Sequence, residues 1–208
     1  MTRRSWLVSC VLGVAASTAP LGCALRRPET TPLRTIEPQL GEGPAPHGQS
    51  VSGADIRLLD TQARAHIGRR LLHQLAQGEL IEDPVWRWSS GPDRYLDTAL
   101  RLEFAANRAT RLVDAVDAAV LAVTLLAWQI EGEGSARLLA AIELRFIGTD
   151  RAVRTHVIRD TEPVSGGLPG DLSIAAGRLL GRLASEACKK VTAITLASNQ
   201  GSPTALRR

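Results

Sequence analysis

The sequence predicts an α/β domain of two layers, in which a mostly antiparallel or mixed sheet carries two helices on one face. Two observations predict this class. Three segments between residues 120 and 157 have the apolar runs or alternation of β-strands, and a longer segment on either side has apolar residues at helical spacing. This order of elements is typical of a domain whose helices pack on one sheet. The domain is predicted to cover residues 53–196.

The first predicted elements are short strands. Residues 54–59 and 69–75 are rich in Ile and Leu, and residues 80–81 resume the pattern after a turn at Gly78. These segments precede the first helix and are expected to pair within the sheet.

The first helix is predicted to begin near Pro92. Residues 90–93 supply an N-cap type residue, an early proline and an acid in the first turn, which is typical of a helix start. Leu96, Leu100 and Phe104 follow at spacings of four, so one face of this helix is expected to pack on the core.

The central strands have the strongest patterns. Residues 120–130 are apolar on both faces, as expected for an interior strand. In residues 138–147 the apolar side chains at even positions alternate with a mixed set that includes Glu143 and Arg145, so one face is predicted to be wet, and residues 153–157 continue that alternation. Residues 132–135 and 148–150 are rich in Gly and polar residues, and they are predicted to be hairpin turns.

A long amphipathic helix is predicted for residues 171–194, after a loop rich in Gly and Pro. Its apolar stripe comprises Leu172, Ala176, Leu179, Leu183, Ala187, Val191 and Ile194.

Residues 1–22 have the features of a secretory signal peptide. Arg3 and Arg4 precede an uncharged, largely apolar run from residue 5 to residue 19. That run is shorter than the roughly 20 residues that span a bilayer, so a permanent transmembrane anchor is not expected.

Cys23 is the predicted lipidation site. Gly22 directly before it resembles the lipobox of bacterial lipoproteins, in which the cysteine becomes the acylated first residue, although Pro20 stands where an aliphatic residue is usual. Cys10 leaves too short an apolar segment before it. Plain secretion, or cleavage elsewhere, is the alternative. The remaining Cys188 is then unpaired and is predicted to be a small buried residue of the last helix.

Two segments flank the predicted domain. Residues 23–52 contain five prolines and almost no apolar periodicity, so they are predicted to be a lipid-anchored, disordered tether. Residues 197–208 are polar and are predicted to be a disordered tail.

Composition and motifs argue against several functions. Aromatic residues make up 3% of the chain and the net charge of +4 is spread along it, so nucleic-acid binding is not expected. The histidines are scattered, no phosphate-binding glycine loop occurs, and no nucleophile elbow is present. The sequence therefore predicts no metal site, no cofactor and no catalysis.

The aromatic residues cluster before and within the first helix. Trp86, Trp88, Tyr95 and Phe104 are four of the seven in the chain. One interpretation is that they fill the space between helix and sheet. The other is that Trp86, Trp88 and Tyr95 form a partner interface, in which a tryptophan in a rigid turn contacts another protein.

Residues 56–194 resemble a known family, the ABC-type transport auxiliary lipoproteins (PqiC-like proteins). The resemblance rests on residues 69–75, on residues 82–88 leading through Pro92 into the first helix, on Trp128-Gln129-Ile130-Glu131, and on the alternating strand and amphipathic helix that follow. A signal peptide, an anchor cysteine and a Pro-rich tether precede the domain in that family too.

The resemblance implies a fold similar to the N-terminal domain of TolB-like proteins and a non-enzymatic role in lipid transport. The implied partners are an MCE-type lipid-binding protein and, indirectly, an inner-membrane permease and an ATPase. The implied location is the outer membrane, with the domain facing the periplasm and a homo-oligomer expected. The alternative is a tethered TolB-like adaptor that binds another envelope protein without transporting lipid.

Overall fold

The structure is a computed structural model that describes residues 32–41, 53–132, 136–166 and 169–200, without the side chains of 198–200. These residues form one mixed sheet and two helices, which confirms the predicted fold class. The strands are β1 (Arg34–Ile36), β2 (Ala54–Leu58), β3 (Gln62–Ala63), β4 (Arg70–Gln74), β5 (Leu80–Trp88), β6 (Thr110–Leu112), β7 (Ala119–Glu131), β8 (Arg137–Ile147) and β9 (Val153–Pro163). The helices are α1 (Pro92–Ala106) and α2 (Pro169–Gln200).

Strand β7 organises the sheet. Along one edge it pairs antiparallel with β8 over its whole length, and β8 pairs in the same way with β9. Along its other edge β7 pairs in parallel with β2, β3 and β4 in turn. Strand β5 joins β4, and β1 joins β5 in parallel. The three strands with the strongest sequence patterns are therefore consecutive neighbours in the sheet.

A β-bulge in β7 changes which of its side chains face the core. Leu121, Val123 and Leu125 are buried before the bulge, and Trp128 and Ile130 are buried after it. The extra residue after Leu125 reverses the alternation, because successive side chains point to opposite faces. Strand β8 has no such interruption, and its even-numbered side chains line the core throughout: Leu138, Ala140, Ile142, Leu144 and Phe146.

Both helices contribute to the same core. Helix α1 buries Leu96, Leu100 and Phe104, as the spacing predicts, and α2 buries its predicted stripe from Leu172 to Val191. Neither helix of the described ranges is long and apolar enough to cross a membrane.

Cys188 lies in this core, as predicted. Its side chain is 2% exposed, and the side-chain amide of Asn107 donates a hydrogen bond to Sγ over 2.8 Å. Burial raises the pKa of the thiol above its ordinary value. The position is therefore that of an unreactive, packed cysteine.

Residues 32–41 are part of the folded domain. Ile36 is 4% exposed and pairs with Trp88 in the β1–β5 ladder. The N–H of Gln39 donates to the carbonyl of Ser173 in α2 over 3.1 Å. The prediction of a disordered tether is therefore wrong for this part, because its few apolar residues complete the edge of the sheet and its backbone binds the helix.

The other flanking predictions have different outcomes. Residues 1–31 and 42–52, including the predicted signal peptide and the remainder of the tether, lie outside the described residues. Helix α2 continues to Gln200, so the predicted tail is helical over residues 197–200. Residues 201–208 lie outside the described part.

Candidate functional site

Strand β5 contains a large irregularity near its middle. Between two points of pairing, β5 advances five residues, from Glu82 to Arg87, while β4 advances two, from Leu72 to Arg70. Pro84 lies inside this interval and has no N–H to give to a ladder, which explains why regular pairing stops there. The additional residues form a bulge on the β4 side, while Trp86 stays paired with Arg34 of β1 and lines the same cleft as the loop that leads into β4.

Asp83 holds the bulge in shape. Its Oδ1 accepts hydrogen bonds from the backbone N–H groups of Val85 and Trp86, each over 2.8 Å, and its Oδ2 lies 3.0 Å from Nε2 of His73. Partial burial by itself would raise the pKa of Asp83, but the N–H groups of Trp86 and Val85 and the imidazole of His73 outweigh it. The pKa lies below its ordinary value, and the carboxylate is ionised and fixed.

A cleft of about 850 Å³ lies beside the bulge. The loop between β3 and β4, strands β4 and β5, and the residue before β1 supply its walls. Its lining combines apolar side chains with charges of both signs: Leu33, Leu72, Leu80, Pro84 and Trp86, then Arg69, Arg70 and Arg87, then Glu82 and Asp83.

Several charges of the cleft are held by neighbours. Arg70 forms an ion pair with Glu82 on the paired strand. Nε of Arg69 donates to the carbonyl of Trp88 over 3.3 Å, and the N–H of Trp88 donates to the carbonyl of Arg69 over 2.6 Å. Nε of Arg87 is buried without a hydrogen-bond partner among the described residues. The cleft is thus a fixed surface with more guanidinium groups than carboxylates.

Trp86 is the partly exposed aromatic residue of this cleft. The guanidinium carbon of Arg34, on the neighbouring β1, lies 5.5 Å from its ring centroid, within the range of a cation–π contact. One side of the ring packs against the core. An indole ring that is fixed in place and surrounded by arginines can bind an apolar or aromatic side chain of a partner protein that is flanked by acidic groups.

The structure does not bring the three predicted interface residues together on the surface. Trp88 is fully buried, and its ring meets Trp128 edge-to-face with centroids 5.4 Å apart. Tyr95 is 8% exposed, and its hydroxyl accepts a hydrogen bond from the N–H of Ser90 over 2.9 Å and bonds Ser89. Both fill the space between helix and sheet, so the interface hypothesis is wrong for these two and is left with Trp86.

The predicted lipidation site, Cys23, lies outside the described residues. Sequence reasoning missed the charged side of the cleft, because Arg69 and Arg70 come from the start of β4 and meet Asp83 and Arg87 of β5 only through the bulged β4–β5 pairing. The one local signal was Pro84 within an otherwise strand-like run, which is typical of an edge or a bulge.

Comparison with family models and with curated proteins gives no match. Solved structures do match. The structure of XCC0632 from Xanthomonas campestris, a DUF330 protein, has a TM-score of 0.66 at 16% identity, covering 80% of this chain and 99% of that chain. A crystal structure of an uncharacterized protein has a TM-score of 0.57 at 9% identity, covering 78% and 99%. The hypothetical protein CT253 from Chlamydia trachomatis has a TM-score of 0.52 at 10% identity, covering 68% and 96%.

These similarities establish a shared fold. Each match covers nearly the whole of the other chain and between 68% and 80% of this one. At such low identity they do not carry a function from one protein to another.

Proposed function

We propose that this chain is a non-catalytic, lipid-anchored accessory protein of a bacterial cell envelope, and that its cleft docks a component of a lipid-transport assembly. The observation that carries the proposal is the partly exposed Trp86, held in a bulge that Asp83 fixes and surrounded by arginines. A preorganised aromatic residue in a charged cleft is typical of a protein-binding anchor.

The non-catalytic part of the proposal rests on how the two carboxylates of the cleft are engaged. Asp83 accepts from two backbone N–H groups and faces His73, and Glu82 is paired with Arg70. These contacts maintain the bulge and the β4–β5 pairing. To act as a general acid or base, a carboxylate must instead be free to reach a bound substrate.

The finer assignment follows the family resemblance. We propose an MCE-type lipid-binding protein as the partner in the cleft, with the permease and ATPase of the same system in indirect contact. The domain faces the periplasm from the outer membrane, to which the acyl chains of Cys23 hold it. Homo-oligomer formation belongs to the same proposal.

Crosslinking in intact envelopes tests the partner. A photoreactive amino acid at position 86 should capture an MCE-type protein, identified by mass spectrometry, while the same group at Val116, which is 84% exposed and outside the cleft, should not. Capture of a different envelope protein from position 86, with no MCE-type protein, would favour the tethered adaptor and end the transport proposal.

Trp86→Ala should weaken association with that partner by roughly thirtyfold, because removing a central aromatic anchor costs about 2 kcal/mol of binding free energy. The melting temperature should change little, since the ring is partly exposed. Titration of the purified partner, followed by light scattering or calorimetry, measures the change. Val116→Ala is the matched control and should bind like the unaltered chain. An unchanged affinity of Trp86→Ala would show that the cleft is not the docking site.

Cys23→Ala should abolish acylation and release the protein from the membrane fraction, because no other residue accepts the lipid in this proposal. Metabolic labelling with a radioactive fatty acid, followed by fractionation, measures both effects. Cys10→Ala is the control and should retain label and location. A labelled Cys23→Ala protein would refute the anchor assignment.

A further inference from the structure

Among the described residues, strand β9 pairs only with β8, and its hydrogen-bonding pattern defines which residues face its other edge. The N–H of Gly148 donates to the carbonyl of Ala152 over 3.0 Å at one end of the β8–β9 ladder, and Val164 N–H donates to the carbonyl of Ala136 over 2.8 Å at the other. The register between these ends is uninterrupted.

Bonded and non-bonded pairs alternate in an antiparallel ladder. Arg154, His156 and Ile158 of β9 therefore turn their backbone groups toward β8. Val153, Thr155, Val157 and Arg159 turn theirs outward.

The far half of this edge is already covered. An N–H of Arg182, from α2, donates to the carbonyl of Thr161 over 3.0 Å, and the N–H of Thr161 donates to the carboxylate of Asp160 over 2.7 Å. Arg182 also bonds Asp160 and Glu162. Arg182 of α2 and Asp160 of β9 thus satisfy the two outward backbone groups of Thr161.

The near half, residues 153–159, is left open. Within the described part of the chain, the outward backbone groups of Val153, Thr155, Val157 and Arg159 have no hydrogen-bond partner. Val153 is 52% exposed and Val157 is 60% exposed. A long edge strand with unpaired backbone groups and exposed β-branched side chains accepts another strand readily, and proteins usually obstruct such an edge unless it is used.

Charge decides which strand fits. A groove of about 520 Å³ runs between β9 and α2, and the basic groups of its lining outnumber the acidic ones. They are Arg159, Arg182, Lys189 and Lys190 against Asp160 and Glu186. Arg182 pairs with Asp160, Lys190 pairs with Glu186 over 3.5 Å, and Arg159 pairs with Glu131 of β7 over 3.4 Å. Lys189 is exposed and has no acidic partner among the described residues.

A second copy of this chain would place a second Lys189 across the same groove, since antiparallel pairing of β9 with its own copy puts both α2 helices on one face of the joined sheet. Like charges in such proximity oppose association. An acidic strand neutralises them.

We infer that residues 153–159 receive an extended segment of a partner protein in which acidic and apolar residues alternate. The backbone of the segment bonds the outward groups of β9. Its acidic side chains face the groove beside Lys189, and its apolar side chains lie next to Val153 and Val157 on the opposite face of the sheet. This is strand addition at a sheet edge. Strand addition at β9 involves neither Cys23 nor Trp86, so its test is independent of the proposed function.

The test uses the full-length chain purified in detergent and a fluorescent peptide of alternating Glu and Val, nine residues long. We expect saturable binding by anisotropy and, in hydrogen exchange, new protection of the amides of Thr155, Val157 and Arg159. The amides of Arg154 and His156, which already bond β8, should not change. Absence of binding, or protection elsewhere, would overturn the inference.

Val157→Pro removes one outward N–H without touching the β8 ladder, so the fold should persist while the peptide binds about tenfold more weakly. Val157→Ala retains the N–H and is the matched control. Lys189→Glu should also weaken binding, and a Lys-Val peptide should not bind. Equal binding of the Lys-Val peptide, or a dimer in sedimentation that Val157→Pro dissociates, would refute the acidic partner strand.

Discussion

Trp88→Ala is expected to lower the free energy of unfolding by about 3–5 kcal/mol, which is the range for deleting a buried tryptophan side chain. Trp88 has no exposed surface, packs edge-to-face on Trp128, and pairs with Ile36 across the β1–β5 ladder. Its loss leaves a cavity where β1, β5 and β7 meet the helices. Urea unfolding, followed by far-UV circular dichroism, measures the change.

Trp86→Ala provides the comparison within the same strand. It removes the same number of atoms, but the ring is partly exposed, so its effect on unfolding should be much smaller. Equal losses for the two variants would show that Trp86 is a core residue and would also remove the basis for the cleft as a docking site.

Gly177→Ala is expected to destabilise the protein by about 1–3 kcal/mol, although alanine normally favours a helix over glycine. A Cβ at this position would overlap the carbonyl group of Gln39, whose backbone lies directly on α2. The neighbouring contacts fix that approach, since Gln39 N–H donates to Ser173 and Ser173 Oγ donates to the carbonyl of Glu37. The segment that includes β1 must move away from the helix.

Gly181→Ala is the matched control, one turn further along the same helix. Nothing lies within 4 Å of its added Cβ, so this variant should gain stability, by about 0.5–1 kcal/mol. Thermal unfolding of both variants measures the difference. Stabilisation by Gly177→Ala would mean that residues 37–40 do not pack on α2.

The sequence was sufficient for those elements whose pattern is long. Strands β7 and β8 were predicted within one residue of their observed bounds, because their apolar patterns extend over eleven or more residues. The starts of β9 and of both helices were also predicted closely, but β9 and α2 each continue six residues beyond their predicted ends. Strands β1, β3 and β6 have only two or three residues each. No periodicity can be read from so few positions, and their pairing is set by strands far away in the chain.

The early segment shows why the tether prediction failed. Prolines at 28, 32, 38, 44 and 46 give residues 23–52 the composition of a coil, and apart from proline only Leu33, Ile36 and Leu40 have large apolar side chains among the described positions 32–41. Ile36 is ordered by contact with Trp88, some fifty residues later. Local composition contains no information on such a contact.

The two tryptophans differ for a related reason. The segment with Trp86 and Trp88 was interpreted as a turn, whereas residues 80–88 form one bulged strand. Even a correct strand assignment would give Trp86 and Trp88 the same face, since they are two residues apart. Trp88 is more buried than Trp86 because Trp128, which the β7 bulge turns toward the core, packs against Trp88.

The order of strands across the sheet also sets the distance between the two proposed binding places. Four inter-strand spacings separate β5, at the Trp86 cleft, from β9, and at roughly 4.8 Å each they amount to about 19 Å. Proteins bound at these two places would be held at a fixed separation by hydrogen-bonded backbone rather than by a linker. Each would then meet the other at a raised effective concentration, without competing for the same surface.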